Sequence, residues 1–451
     1  MSVSKTVERG LWNSKLGFIL AAAGSAVGLG NIWGFPTKVA TQGGAAYLII
    51  YLLCSFAIGF PVMIAEIAIG RKSGKNPVGA FQALSTNKFF PFVGLWGVIC
   101  GVMILSFYTV IAGWAFGFAF EEVFNFLGLH GVADWFTDTD NGLKNAIVAS
   151  AFMVATISII TGGVSEGIEK ATKTMMPLLV LVLVIMIVYV LIHPDSNEGI
   201  SEYLLPDFSK ITPKLIFSAM GQAFFSLSLG MGALITYGSY LSKKENIPQA
   251  AAFVTIADVA IAFLAGLLIL PAMYMAKASG IEIYVGGELA SSTTLVFQVL
   301  PALFHSMGGV VGVLFGITFF LLLSIAALTS TISLLEVPVS YVIDEYHIKR
   351  KKAAWGVGLG VLAISILIAY KPSLIGSFDT VFSNVGLPLG GFLICIFVGY
   401  VWKTENAIDE MAHGYEGIRK SLFAKVWPFF IKVVCPAAIL YNLGQTLIGL
   451  F

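Results

Sequence analysis

Two stretches of this chain place polar groups where the flanking sequence is apolar for many residues. The first reads Gly24-Ser25-Ala26-Val27-Gly28-Leu29-Gly30-Asn31, and the second Gln222-Ala223-Phe224-Phe225-Ser226-Leu227-Ser228-Leu229-Gly230-Met231-Gly232. Each holds a Gly-x-Gly beside hydroxyl or amide side chains. Glycine costs about 1 kcal/mol in a helix interior relative to alanine, so these runs predict interrupted helices. An interruption bares backbone groups that hydrocarbon cannot satisfy. Bared carbonyls and the C-terminal ends of half-helices suit Na+, whereas bared N–H groups and N-terminal ends suit a carboxylate. Such backbone is expected to persist where something bound replaces the lost partners. The implied chemistry is capture of a cation and a zwitterion.

The elements that must hold these runs follow from composition. Of 451 residues, 57% are hydrophobic and 11% charged, against roughly 25% charged in an average soluble domain. That leaves too little polar surface for a water-soluble particle. A net charge of +1 gives no basic footprint for nucleic acid. Cys54, Cys100, Cys395 and Cys435 lie far apart in apolar runs and read as packed hydrophobes. His130, His193, His305, His347 and His413 are scattered near segment ends without the spacing of a metal site. With no nucleophile–base pair evident either, enzyme chemistry is not indicated. The chain reads as an all-α polytopic membrane protein forming a single transmembrane domain, 1–451.

About 20 apolar residues cross the hydrocarbon core, and windows of that length give eleven transmembrane helices. They fall near 16–38, 44–70, 90–126, 144–162, 170–192, 212–240, 248–277, 307–341, 353–370, 376–402 and 424–449. The first is expected to be a retained helix, since no A-x-A-like cleavage site follows it. With a cytoplasmic N-terminus and an extracellular C-terminus, the inner connections hold most of the Lys and Arg, including Arg71, Lys72, Lys75 and the run Lys349-Arg350-Lys351-Lys352. The outer ones hold only Lys38, Lys144, Lys210, Lys214, Lys277 and Lys371. Of the two long outer connections, 127–143 reads as a solvated loop and 278–306 as a partly buried lid.

Spans 1 and 6 each open a block of five, 1–192 and 212–402, leaving 403–451 as an additional helix. An odd count in the first block makes the second enter from the opposite side, a 5+5 inverted repeat with broken helices 1 and 6. Corresponding broken spans in two halves point to a transporter site near the bilayer midplane. Close helix packing on small residues is the plainer alternative for one Gly-x-Gly, but it does not explain two at matching positions. A channel would need an open polar path, which the apolar flanks do not offer.

The stretch Leu16-Gly17-Phe18 to Gly30-Asn31-Ile32-Trp33-Gly34-Phe35-Pro36 resembles the first-helix signature of the neurotransmitter:sodium symporter family. Gly221–Tyr240, "GQAFFSLSLGMGALITYGSY", resembles its sixth helix. Gly167-Ile168-Glu169-Lys170, Met176-Pro177 and Tyr203-Leu204-Leu205-Pro206-Asp207-Phe208 add further matches, so the resemblance runs along essentially the whole chain. It is most similar to bacterial members that carry hydrophobic amino acids.

The resemblance implies two Na+ sites and one substrate site. The first Na+ would be held by the Ala26 carbonyl, Asn31, Ser226 and Asp258, completed by the substrate carboxylate. The second would be held by the carbonyls of Gly24, Val27 and Ala326 with the hydroxyls of Thr329 and Ser330. Animal members carry Asn where Asp258 stands and use chloride nearby, so the resemblance implies that no chloride is needed here. Amine-transporting members carry Asp where Gly28 stands, so a substrate bringing its own carboxylate is implied. Leu29 and Gly30 N–H groups and the Tyr108 hydroxyl would hold it, with Ala26, Ile104, Phe225, Ser226, Ser228, Met231, Thr331 and Leu334 around it. That lining has no charge for a basic or acidic side chain, which favours hydrophobic L-amino acids such as Leu, Val, Ile, Phe, Trp, Tyr and Met.

The resemblance also implies gates. Outside, Tyr108 and Phe225 would cover the substrate. The usual outer Arg–acid pair is missing, with Gly34 and Ser383 at its positions, and Gln222 is a candidate to help close the site. Inside, Arg9, Trp12, Ser239, Tyr240 and Asp344 match the cytoplasmic latch. Gly167 and Pro177 weaken the inner end of span 5, where unwinding would admit water to the second Na+ site. The expected setting is a bacterial plasma membrane.

Overall fold

Residues 10–285, 288–289 and 292–448 are described by the computed structural model; Arg9 lies outside the described residues. Nine described helices are long and apolar enough to cross a membrane by length and composition. They are Ala45–Ser73, Phe90–Phe126, Gly142–Thr161, Val164–Leu191, Ile247–Ala278, Gly309–Tyr346, Arg350–Ala369, Leu374–Val401 and Leu422–Ile448. Span 1 is a bent pair, Lys15–Ala26 and Gly30–Thr41, turning by 50°. Span 6 is split into Pro213–Ser226 and Ala233–Gly238. All eleven expected spans are therefore helical, and the two that break are the two whose sequences predict it.

The breaks have local causes. In span 1, Val27 turns to an extended conformation (φ −77°, ψ 107°) and ends the first half-helix. In span 6, Ser228, Gly230 and Gly232 take φ of 55°, 80° and 78°, which no helix accommodates. Gly230 is fixed by contact as well as conformation. A Cβ there would stand 2.1 Å from the Leu387 carbonyl oxygen of span 10.

One expectation is corrected here. Several of the bared groups do not wait for a bound partner, because side chains from span 1 itself and from other spans reach them. Gly28 N–H donates to Asn31 Oδ1 at 3.0 Å and Leu29 N–H to Tyr108 Oη at 2.9 Å. Gln222 Nε2 donates to the Gly30 carbonyl at 2.8 Å, and Gly230 N–H donates to Glu66 Oε1 at 2.7 Å. Ser228 Oγ donates to the Ser25 carbonyl at 2.9 Å. The chain thus meets part of its own backbone demand at the breaks, in keeping with the need of buried backbone for partners.

Spans 3 and 8, the two longest helices, pack against each other and against the broken spans. Span 5 turns an apolar face outward, with Leu181, Ile185, Val188 and Ile192 all exposed. A row of that spacing on one face meets lipid, not water.

Two connections differ from or refine the sequence reading. The segment 127–143 is not a plain solvated loop: His130–Thr137 is a helix, and Phe136 stacks on Phe120 and Phe124. Three apolar residues, too few to register as a span, suffice to pin it. In the described part of 278–306, the helix Leu295–Met307 is partly buried, as the lid reading expects. After a two-residue antiparallel ladder (Tyr284–Val285 with Glu288–Leu289) comes the helix Leu295–Met307. Its Phe297 packs edge-on against Trp33 and Trp114.

Candidate functional site

Asp258 lies in the middle of span 7, fully buried. Asn31 Nδ2 donates to Asp258 Oδ1 at 2.7 Å and to Ser226 Oγ at 3.0 Å, and Ser226 Oγ donates to Asp258 Oδ1 at 2.7 Å. The structure thus gathers one residue from each broken span around a single carboxylate. Tyr51 of span 2 joins them, its hydroxyl 3.0 Å from Asp258 Oδ2. Sequence reasoning missed Tyr51; its signal was a phenol in an otherwise apolar run, the kind of side chain that seeks a partner when buried.

A second oxygen cluster joins the span 1 break to span 8. Thr329 Oγ1 donates to the Val27 carbonyl at 3.2 Å and to Ala326 O at 2.9 Å. Ser330 Oγ stands 3.3 Å from Ser25 O and 3.4 Å from Val27 O. Gly24 backs this cluster, its missing Cβ leaving 3.2 Å to Thr329 Cβ. Such a gathering of neutral oxygens suits a hard cation.

Between the clusters is a small cavity of about 20 Å3 lined by Ser25, Ala26, Gly28, Gly30, Ile104, Tyr108, Phe225, Ser226, Ser228, Met231, Ser330 and Leu334. Nearly all the expected substrate residues are in this wall. Leu29 meets it through its N–H bond to Tyr108. Thr331 is the correction: its hydroxyl faces span 4 and stands 3.0 Å from Thr156 Oγ1, one helical position away from the wall.

Tyr108 and Phe225 also line a larger vestibule of about 460 Å3, so they form the partition between the two spaces. The vestibule contains Gly34 and Ser383, the uncharged residues at the expected Arg–acid positions. It also contains Lys38 and Asp379, each four positions from its counterpart. Lys38 Nζ donates to Gln222 Oε1 at 2.9 Å. Charged residues displaced by one turn from the expected positions are invisible to residue-by-residue matching.

At the other end, Trp12 is buried against Phe18, Tyr237 and Tyr240, and its indole donates to the Tyr237 carbonyl at 3.0 Å. Tyr240 Oη donates to Glu336 Oε1 at 2.7 Å, and Arg350 pairs with the same carboxylate. Ser239 Oγ donates to the Thr236 carbonyl at 2.6 Å. Asp344 accepts from Asn76 N–H and Nδ2 at 2.9 and 3.1 Å. Glu169 holds the N-terminal segment through Asn13 N–H and Ser14 Oγ at 2.8 and 2.9 Å. The 164–169 end of span 5 is wound, and Gly167 serves close packing there. A Cβ on it would stand 2.1 Å from the Ile159 carbonyl.

The fold also joins groups that sequence spacing kept apart. His305, in the lid helix, stands 3.5 Å from Glu121 Oε1 and 3.6 Å from Glu122 Oε2 at the end of span 3. The two carboxylates, Glu121 first, push its imidazole up to about 10.

The chain matches the model of the sodium:neurotransmitter symporter family over residues 9–140 and 125–449. It is 37% identical to an uncharacterized sodium-dependent transporter of Methanocaldococcus jannaschii, covering 95% of this chain and 89% of the relative. One from Bacillus subtilis is 32% identical over 98% of this chain and 97% of the relative. The human sodium- and chloride-dependent GABA transporter 2 is 25% identical, with 97% and 80% covered. Among solved structures, MhsT in complex with L-phenylalanine superposes with a TM-score of 0.85 at 39% identity, covering 97% of this chain and all of that one.

Proposed function

The chain belongs to the sodium:neurotransmitter symporter family, and from that premise we propose that it imports hydrophobic L-amino acids, aliphatic and aromatic, by alternating access. Sodium-coupled transport through a multi-pass helical bundle is the family's activity, and its members are transporters, not enzymes. The observation that carries the substrate reading is the cavity itself. Its wall takes residues from both breaks and offers Ile104, Phe225, Met231 and Leu334 with no ionised side chain. The solved relative with L-phenylalanine supports an aromatic substrate. Met231 repacks around side chains of differing shape.

In this reading the first Na+ sits with the Ala26 carbonyl, Asn31, Ser226 and Asp258, and the substrate carboxylate completes its shell. Ion and substrate then raise each other's affinity by the same factor. The second Na+ sits with Gly24, Val27, Ala326, Thr329 and Ser330. Asp258 supplies the negative charge, so chloride is not required. The blocks 1–192 and 212–402 act as inverted repeats moving against each other, with the N-terminus cytoplasmic, the C-terminus extracellular and the whole in a bacterial plasma membrane.

The test is uptake of radiolabelled Leu, Val, Phe, Trp, Glu and Lys into proteoliposomes under an imposed Na+ gradient. Accumulation of the four apolar amino acids alone is expected. Equal uptake of Glu or Lys, or uptake without Na+, overturns the proposal.

A further inference from the structure

Glu121 and Glu122 are adjacent acids at the end of span 3, and both are buried, with side-chain exposures of 4% and 1%. A buried carboxylate requires a charged or hydrogen-bonding partner. Yet neither oxygen of Glu122, nor Oε2 of Glu121, accepts a hydrogen bond among the described residues. Span 8 makes room for this arrangement: a Cβ on Gly316 would stand 2.3 Å from Glu122 Oε1. Opposite them the lid helix presents His305, whose side chain is 45% exposed. Its Nε2 and one oxygen from each acid lie within 4.8 Å of one another.

We propose that Glu121, Glu122 and His305 form a divalent transition-metal site that ties the lid helix Leu295–Met307 to span 3. Two bonds of 2.0–2.2 Å from one tetrahedral Zn2+ set neighbouring ligand atoms about 3.3–3.5 Å apart. His305 Nε2 stands 3.5 and 3.6 Å from the two carboxylates, near that spacing, and all three ligand atoms lie within 4.8 Å of one another. Two carboxylates and an imidazole suit Zn2+ and its neighbours in the transition series, whereas Ca2+ and Mg2+ take oxygen alone. A bound divalent ion neutralises both acids, with the imidazole coordinating in its neutral form. Glu121 is oriented from behind, its Oε1 accepting from Asn125 Nδ2 at 2.5 Å, with His130 Nδ1 2.9 Å from Asn125 Oδ1. Outer partners of this kind characterise metal ligands. An open side of about 400 Å3, lined by Glu121, Thr137, Thr139, Gln298 and His305, provides entry and room for a water as fourth ligand.

Calorimetric titration of the full chain in detergent, tag removed, with Zn2+ tests the site. One Zn2+ per chain at low micromolar affinity or tighter is expected. His305→Ala and Glu122→Gln should each weaken it at least about tenfold, and His193→Ala should leave it unchanged. No binding to the wild type, or equal affinity in both site variants, overturns the proposal. If a variant does not purify as monodisperse protein, Co2+ absorption on the wild type decides. Strong tetrahedral bands lost on adding one equivalent of Zn2+ support the site, and a weak octahedral spectrum overturns it. The readout is metal binding, so its failure leaves the sodium-coupled reading standing.

Discussion

Asn31 of span 1 and Asp258 of span 7, 227 positions apart in sequence, meet at 2.7 Å between Nδ2 and Oδ1. The contact links a broken helix to a straight one through the only carboxylate in the cluster. In the proposed reading, its charge is the feature on which the ion requirements turn.

Replacing chloride by gluconate should therefore leave wild-type Na+-dependent uptake unchanged. Asp258→Ala should lose sodium-dependent substrate binding at least about tenfold in gluconate, since a buried carboxylate at an ion site is worth more than 1.4 kcal/mol. Chloride should restore part of that binding. Scintillation binding in the two salts reads the difference, and an Asp258→Ala protein that binds normally in gluconate removes the assignment.

Thr329→Val keeps the shape of the side chain but removes the hydroxyl that reaches Val27 O and Ala326 O. The Na+ concentration giving half-maximal substrate binding should rise about tenfold, close to 1.4 kcal/mol. Thr156→Val, whose hydroxyl faces Thr331 away from the cavity, should leave it within twofold.

How far the sequence reaches can be seen in these residues. The two interruptions were legible because Gly-x-Gly in an apolar run has a direct backbone consequence. Asn31, Ser226 and Asp258 were legible through resemblance. Tyr51, Lys38 and the Glu121–Glu122–His305 cluster were not. Each acts through a contact between distant segments, and the charges at Lys38 and Asp379 sit one turn from the positions where a match would look. The His130–Thr137 helix escaped because a short segment pinned by three aromatic rings leaves no periodic signal.

Gly230→Ala should be the most damaging small substitution in span 6. Its φ of 80° and the 2.1 Å approach of the new Cβ to Leu387 O leave no relaxed conformation. A loss of about 3 kcal/mol or more is expected, read as a lower melting temperature in detergent. Gly221→Ala, with open space around it, should not move the transition.

Backbone amides of 163–177 should exchange faster without Na+ than with it. The Gly163 bend (φ 86°) and the missing donor at Pro177 single out this stretch of span 5 as the one to open. Hydrogen exchange in the two conditions measures it, and uniformly slow exchange removes the idea that water enters there.

Asn31, Tyr108, Gln222 and Glu66 already engage three amides and one carbonyl of the two breaks, so in the proposed reading arriving cargo displaces internal neighbours there instead of filling raw gaps. Loading would then be partly a swap, with a modest net gain and an easy return journey. A shuttle has to let go on the far side. A scaffold that meets part of its own demand can deliver and reset without being committed to what it carries.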